Sequence, residues 1–151
     1  MKATPRAINS YIFFKLPSCY FTGVRVKSID DFSCITSVRH RWINQNPFKS
    51  MFWAVQGMAA ELATGALVMA HISQSGAKIS MLVATNNATF DKKATGRITF
   101  SCEDGQLIKD TIAKAIQSKQ GESCWMKAIG KDSDGNTVSE FNFQWTLKLK
   151  P

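Results

Sequence analysis

Two patterns dominate the chain, and each requires the other. Near the end, Phe141, Phe143, Trp145, Leu147 and Leu149 alternate with Glu140, Asn142, Gln144, Thr146 and Lys148. This strict period of two predicts a strand with one buried face and one solvated face. In the middle, the stretch Asn46–Ile72 is almost entirely apolar from Met51 onward; its polar side chains there are Gln56, Glu61, Thr64 and His71. A helix that is apolar on all sides has to be enclosed, either by protein or by lipid.

The remaining segments supply a sheet that can enclose it. Thr4-Pro5 is a cap and first helical residue for a short helix through Ile8, Tyr11 and Ile12, stopped at Pro17. Gly23 opens the strand Val24–Ile29, and Asp30-Asp31 turns the chain. Cys34, Thr36, Val38, His40 and Trp42 then alternate with Ser37, Arg39 and Arg41, which predicts a half-buried strand over 34–42. Beyond the central helix, a turn at Ser73–Gly76 leads to a strand over Lys78–Phe90, with Ile79, Met81 and Val83 on one face. Asp91-Lys92-Lys93 turns into a strand from Gly96 to Cys102. Leu107, Ile108, Ile112, Ala115 and Ile116 mark an amphipathic helix over Gln106–Gln117; Cys124–Lys131 reads as a strand, and Asp132–Asn136 as a hairpin turn with its glycine at a positive-φ position. The order is strand, strand, long helix, then four strands with one helix inserted. That is an α+β architecture, an antiparallel sheet wrapped around one long central helix. No repeat or linker interrupts it, so residues 1–151 read as one domain, with 1–20 as an N-terminal helical extension.

Composition narrows the setting. A chain of 151 residues is long enough for one sizeable core. Cys19, Cys34, Cys102 and Cys124 lie far apart with no C-x-x-C pair. This points to reduced thiols in a cytoplasmic protein and to no metal site. The apolar run Tyr11–Phe14 is too short for a secretory signal. Met51–Ile72 approaches spanning length, but the mid-helix Glu61 and the alternating strands favour a buried helix over a membrane role. The formal charge is +8, spread along the chain without a basic tract, so nucleic acid is not an expected partner.

Candidate chemistry concentrates on the central stretch. A carboxylate at Glu61, inside an apolar helix, has to be paired, hydrogen-bonded or held neutral, and perturbed carboxylates often mark sites. The other reading is a structural Glu bonded to a strand or across a dimer interface. Glu61 shares its helix face with Ala54, Gly57, Met58, Thr64, Gly65 and Val68, mostly small residues that leave room for a ligand. The helix start has two alternative caps. Asn46 with Pro47 at the first helical position is one; Ser50 is the other, and only it, or a separate turn over 47–50, leaves a free N–H near Trp53. Phe52 and Trp53 wall either a pocket or plain core, and Gln56 either orients a ligand or is a satisfied core amide. Thr64 either supports Glu61 or bonds its own backbone. His71 suits the dipole at the helix end. Arg39 and Arg41, flanking His40, share a strand face on which they could hold phosphates.

These residues carry a family resemblance. A sheet curled round one apolar helix with a mid-helix acid resembles the hotdog fold, and specifically the phenylacetic-acid-type acyl-CoA thioesterases and their uncharacterised relatives. In that family an Asn precedes the helix, His-Gly-Gly begins it, and an acid follows nine residues after the His. Here Asn46 and Glu61 occupy the outer positions, Ala60–Gly65 resembles the acid segment, and Phe52, Trp53 and Ala54 stand in place of His-Gly-Gly. The resemblance spans roughly Phe21 to the end. It implies hydrolysis of an acyl thioester of coenzyme A or an acyl carrier protein, with Glu61 as nucleophile or base, an N–H near Trp53 holding the oxyanion, and Asn46 beside them. Phe52, Ala54, Gln56, Gly57, Thr64, Arg39 and Arg41 would line the substrate. It also implies no cofactor beyond the thioester itself, and a homodimer or dimer of dimers with sites at the subunit boundary. Loss of His-Gly-Gly leaves a non-catalytic acyl- or acyl-CoA-binding protein as the alternative.

Overall fold

The computed structural model describes residues 3–151. Helices α1 (Pro5–Lys15) and α2 (Pro17–Phe21) precede strands β1 (Arg25–Ile29) and β2 (Cys34–Arg39). A short 3-10 turn at Trp42–Asn44 leads to the central helix α3 (Trp53–Ser75). Then come β3 (Ile79–Phe90), β4 (Arg97–Cys102), α4 (Gly105–Ser118), β5 (Glu122–Lys131) and β6 (Thr137–Leu149). The strands form one six-stranded antiparallel sheet in the order β1-β2-β4-β5-β6-β3. Curled around α3, this is the hotdog fold. The two β-hairpin turns obey local chemistry: Asp30 accepts from the amides of Phe32 and Ser33, and Gly135 takes φ 84° in the β5–β6 turn.

Alternation and burial coincide in β6, where Phe141, Phe143, Trp145 and Leu147 are buried against α3. The helix returns Val55, Ala59, Ala60, Leu62, Ala63, Ala66, Leu67 and Val68 to the same core. Its small residues let the aromatic strand approach: a Cβ on Gly57 would lie 3.3 Å from Phe141 Cε1, and one on Gly65 would lie 3.2 Å from Trp145 Cζ2. Three polar ties fix the helix rotation on the sheet. Thr36 Oγ1 donates to Ala59 O (2.7 Å), Ser139 Oγ to Gln56 Oε1 (2.8 Å), and Trp145 Nε1 to Thr64 Oγ1 (2.9 Å). Each satisfies a buried polar group that would otherwise oppose burial.

The outer strands are unequal. The outer edge of β1 is covered: Asn9 on α1 donates to Val26 O (3.0 Å) and accepts from Val26 N (2.9 Å), while Ile8 and Ile12 fill the core beneath. The outer edge of β3 pairs with no strand among the described residues.

Several expectations change. Pro17 does not merely stop α1; it begins α2. The strand expected over 34–42 ends at Arg39, because the 3-10 turn breaks the alternation, leaving Trp42 81% exposed and burying Asn44 instead. Asn44 holds this corner by donating to Thr22 O and Arg39 O and accepting from Arg41 N. The central helix starts at neither Asn46 nor Ser50 but at Trp53, and runs on to Ser75 before Gly76 at φ 69°. His71, read as suiting the dipole at the helix end, has a further tie. It is buried, and its Nε2 donates to Asp31 O (2.9 Å), tying the β1–β2 turn to the helix end.

Replacing Thr64 with Val keeps its shape but strands the buried indole N–H of Trp145. Urea unfolding should show a loss of about 1–3 kcal/mol; a variant as stable as wild type would mean the indole has another partner.

Candidate functional site

Gly57 against Phe141 and Gly65 against Trp145 bracket Glu61 one turn to either side, so Glu61 sits level with Phe143. It lies on a half-buried stripe of α3, with Ala54, Gly57, Met58, Met69 and Ile72 along the same side. The carboxylate is half-buried, and no side chain or amide among the described residues donates to it or pairs with it. Desolvation therefore raises its pKa above the ordinary carboxylate value. Cys19 on α2 is close enough to feel it: burial, then the Glu61 charge, push that thiol up to about 12.

The helix start is a second element. Asn46 organises the loop before it, its Oδ1 accepting from the amides of Phe48 and Ser50 and its Nδ2 donating to Ser50 Oγ and Met51 O. Phe52 then occupies the N-cap in extended conformation (φ −60°, ψ 133°) with no side-chain cap. The first helical bonds come from Val55 N and Gln56 N to Phe52 O. The amides of Trp53 and Ala54 thus have no acceptor among the described residues and point out of the positive end of the dipole. Asn46, Trp53 and Gln56 line a cleft of about 270 Å³ together with Phe90 and Lys92.

The candidate residues divide accordingly. Glu61, Ala54 and Gly57 share the half-buried stripe; Asn46, Trp53 and Gln56 share the cleft; Phe52 (44% exposed) is not among its walls but meets Trp53 (58%), ring centroids 5.9 Å apart. Gln56 is buried and spent on Ser139 and Met51 O, so it is a structural amide at the cleft floor. Thr64 is a correction: fully buried, it accepts from Trp145 and donates to Glu61 O, so it positions the helix and does not touch a ligand. Arg39 and Arg41 are exposed at the far end of β2, with the unpartnered Nε2 of His40 buried between them.

One residue escaped the sequence reading. Continued alternation from Ile79, Met81 and Val83 would place Thr85 and Asn87 toward the helix. A bulge between Val83 and Thr85 shifts the phase, so Asn86, paired with the core-facing Phe143, takes that face instead. Asn86 is an exposed amide on the unpaired edge strand, level with Glu61.

Known proteins share this architecture. A Pseudomonas aeruginosa protein of unknown function, named as a probable thioesterase, matches with TM-score 0.82 and 17% identity over 99% of each chain. A Chlorobaculum tepidum protein of unknown function matches with the same TM-score, identity and coverage. A mutant thioesterase from Pseudomonas aeruginosa gives TM-score 0.72 and 14% identity, covering 99% of this chain and 97% of that one. No curated protein matches the sequence. Residues 5–147 match the family described as Domain of unknown function (DUF4442), and this hotdog-fold chain belongs to that family.

Proposed function

We propose that this protein is a thioesterase-like hydrolase acting on an acyl thioester of coenzyme A or an acyl carrier protein. The observation that carries the reading is Glu61: a desolvated, half-buried carboxylate with no partner among the described residues, flanked by Gly57 and Gly65 on a hotdog helix. Neighbours of this fold named as thioesterases support it. As base, Glu61 takes a proton from water while the hydroxide bonds to the thioester carbon; the C–S bond then breaks and the thiolate leaves, recovering the proton. As nucleophile, it bonds to the thioester carbon and expels the thiolate, leaving an acyl-carboxylate anhydride; water then opens the anhydride, freeing the acid and restoring the Glu61 carboxylate, and the proton released goes to the thiolate. In either route the carbonyl oxygen becomes an oxyanion, and the free amides of Trp53 and Ala54 are the donors suited to hold it.

On one helix the Ala54 amide and Glu61 are two turns apart, about 10 Å. This reading therefore calls for a second copy to bring acid and amides together, and the β3 edge, which carries Asn86, is the surface suited to receive it. The loss of His-Gly-Gly at Phe52-Trp53-Ala54 favours the second reading, an acyl-binding protein without turnover.

Three results test this. Glu61→Gln should lower kcat on acyl-CoA substrates by about 100-fold or more, and turnover that survives the change would remove the mechanism. The same variant carries a stability signature. With its folded pKa above the unfolded value, Glu61 opposes folding once ionised, so stability falls as pH rises from the unfolded pKa through the folded one. Glu61→Gln should therefore be more stable than wild type at neutral pH, with the advantage fading as acid protonates Glu61; urea titrations across pH read this directly. Finally, Trp53→Pro removes the N–H at a position where proline suits a helix start and where Phe52 is already extended. Relative to Trp53→Ala, it should cost about 100-fold in kcat; equal rates would exclude that amide as the oxyanion donor.

A further inference from the structure

The outer face of the sheet carries an arrangement that its own charges do not balance. Arg39 and Arg97 are directly opposite each other across β2 and β4, a like-charge pair that opposes strand pairing. Arg25 joins them on the same face, opposite Ser37 in the adjoining row, and Arg97 Nη1 donates to Ser37 Oγ (2.8 Å). Arg41 closes the group, its guanidinium lying over Gly23 at the start of β1, where a Cβ would sit 2.5 Å from Nη2. None of the four forms an ion pair among the described residues. Four guanidiniums gathered at one corner without a carboxylate suit a compact polyanion.

An aromatic cleft adjoins this corner through Arg25. It measures about 440 Å³ between α1, α2 and β1, and Arg6, Phe13, Phe14, Tyr20 and Arg25 wall it. Arg25 lies flat on the Tyr20 ring (3.6 Å) and spends Nη1 on the carbonyls of Tyr20 and Val24, leaving its other nitrogens toward the cleft. Phe14 is 75% exposed and meets Phe13 edge-on at 4.8 Å, which leaves ring faces free for stacking. Flat aromatic surface beside clustered guanidiniums is the chemistry that takes a purine nucleotide, base on the rings and phosphates on the arginines.

We infer that this cleft and the Arg25–Arg39–Arg41–Arg97 corner bind the phosphorylated nucleotide end of coenzyme A, which makes the substrate a coenzyme A thioester and not a carrier-protein thioester. The inference rests on the thioesterase reading for its biological sense, but its test needs no turnover. Calorimetric titration of the intact protein with coenzyme A, ADP and pantetheine should show binding of the first two and weak or no binding of pantetheine. The double variant Arg39→Ala/Arg97→Ala, on exposed positions, should weaken coenzyme A and ADP by about tenfold or more, and so should Phe14→Ala. With an acyl-CoA and the matching acyl-pantetheine as substrates, the double variant should raise KM for the former by about tenfold, while KM for the latter changes by less than about twofold. Nucleotide binding that is absent, or that both variants leave intact, overturns the proposal. So does a variant that loses only binding to vesicles containing anionic phospholipid, which would make the corner a membrane contact. Arginine-dependent coenzyme A binding without any hydrolysis keeps the nucleotide site and removes the enzyme reading.

Discussion

The structure depends on enclosing an apolar helix with a single sheet. α3 has no polar face with which to meet water, so the sheet must curl far enough to cover it. Curling that close is possible because Gly57 and Gly65 give the helix a thin profile against Phe141 and Trp145, while Ala60, Ala63 and Ala66 keep it thin elsewhere in the core. The polar ties from Thr36, Ser139 and Trp145 then choose one rotation of a cylinder that hydrophobicity alone would leave free to turn. Once that rotation is set, it decides which stripe of the helix stays only half-buried.

Glu61 falls on that stripe. The position it occupies is intermediate: desolvated enough to raise its pKa, open enough to be reached. The helix start has a matching character. Phe52 has no side chain that can cap, and Asn46 is committed to its own loop, so the first amides stay unsatisfied at the positive end of the dipole. An unpaired acid and unpaired donors on one helix are both costs to folding, and both are tolerated together.

The sheet also separates two chemistries. Its concave side is apolar apart from the helix ties, while its convex side at the β1–β2–β4 corner gathers arginines. α1 and α2 sit where these sides meet. Asn9 seals the edge of β1 and Ile8 and Ile12 anchor α1, so that Phe13, Phe14 and Tyr20 project as a wall beside Arg25. The N-terminal helices therefore seal the β1 edge and carry the aromatic wall beside Arg25.

The local periods in the chain determined most of the architecture. The alternation of β6, the all-apolar run of α3, the amphipathic α4 and the Gly135 turn are properties of a few consecutive residues, and consecutive residues report faithfully on which face is buried. Glu61 was legible for the same reason, as an acid inside an apolar run. Tertiary structure alone decided the rest. The start of α3 was settled by Asn46 and Ser50 bonding each other and not the helix. The β3 bulge that turned Asn86 inward depends on the register of β6 across the sheet. The convergence of Arg25, Arg39, Arg41 and Arg97 depends on strand pairing and on a side chain lying over Gly23. Each of these is a relation between residues distant in the chain, so no pattern along the chain could carry it.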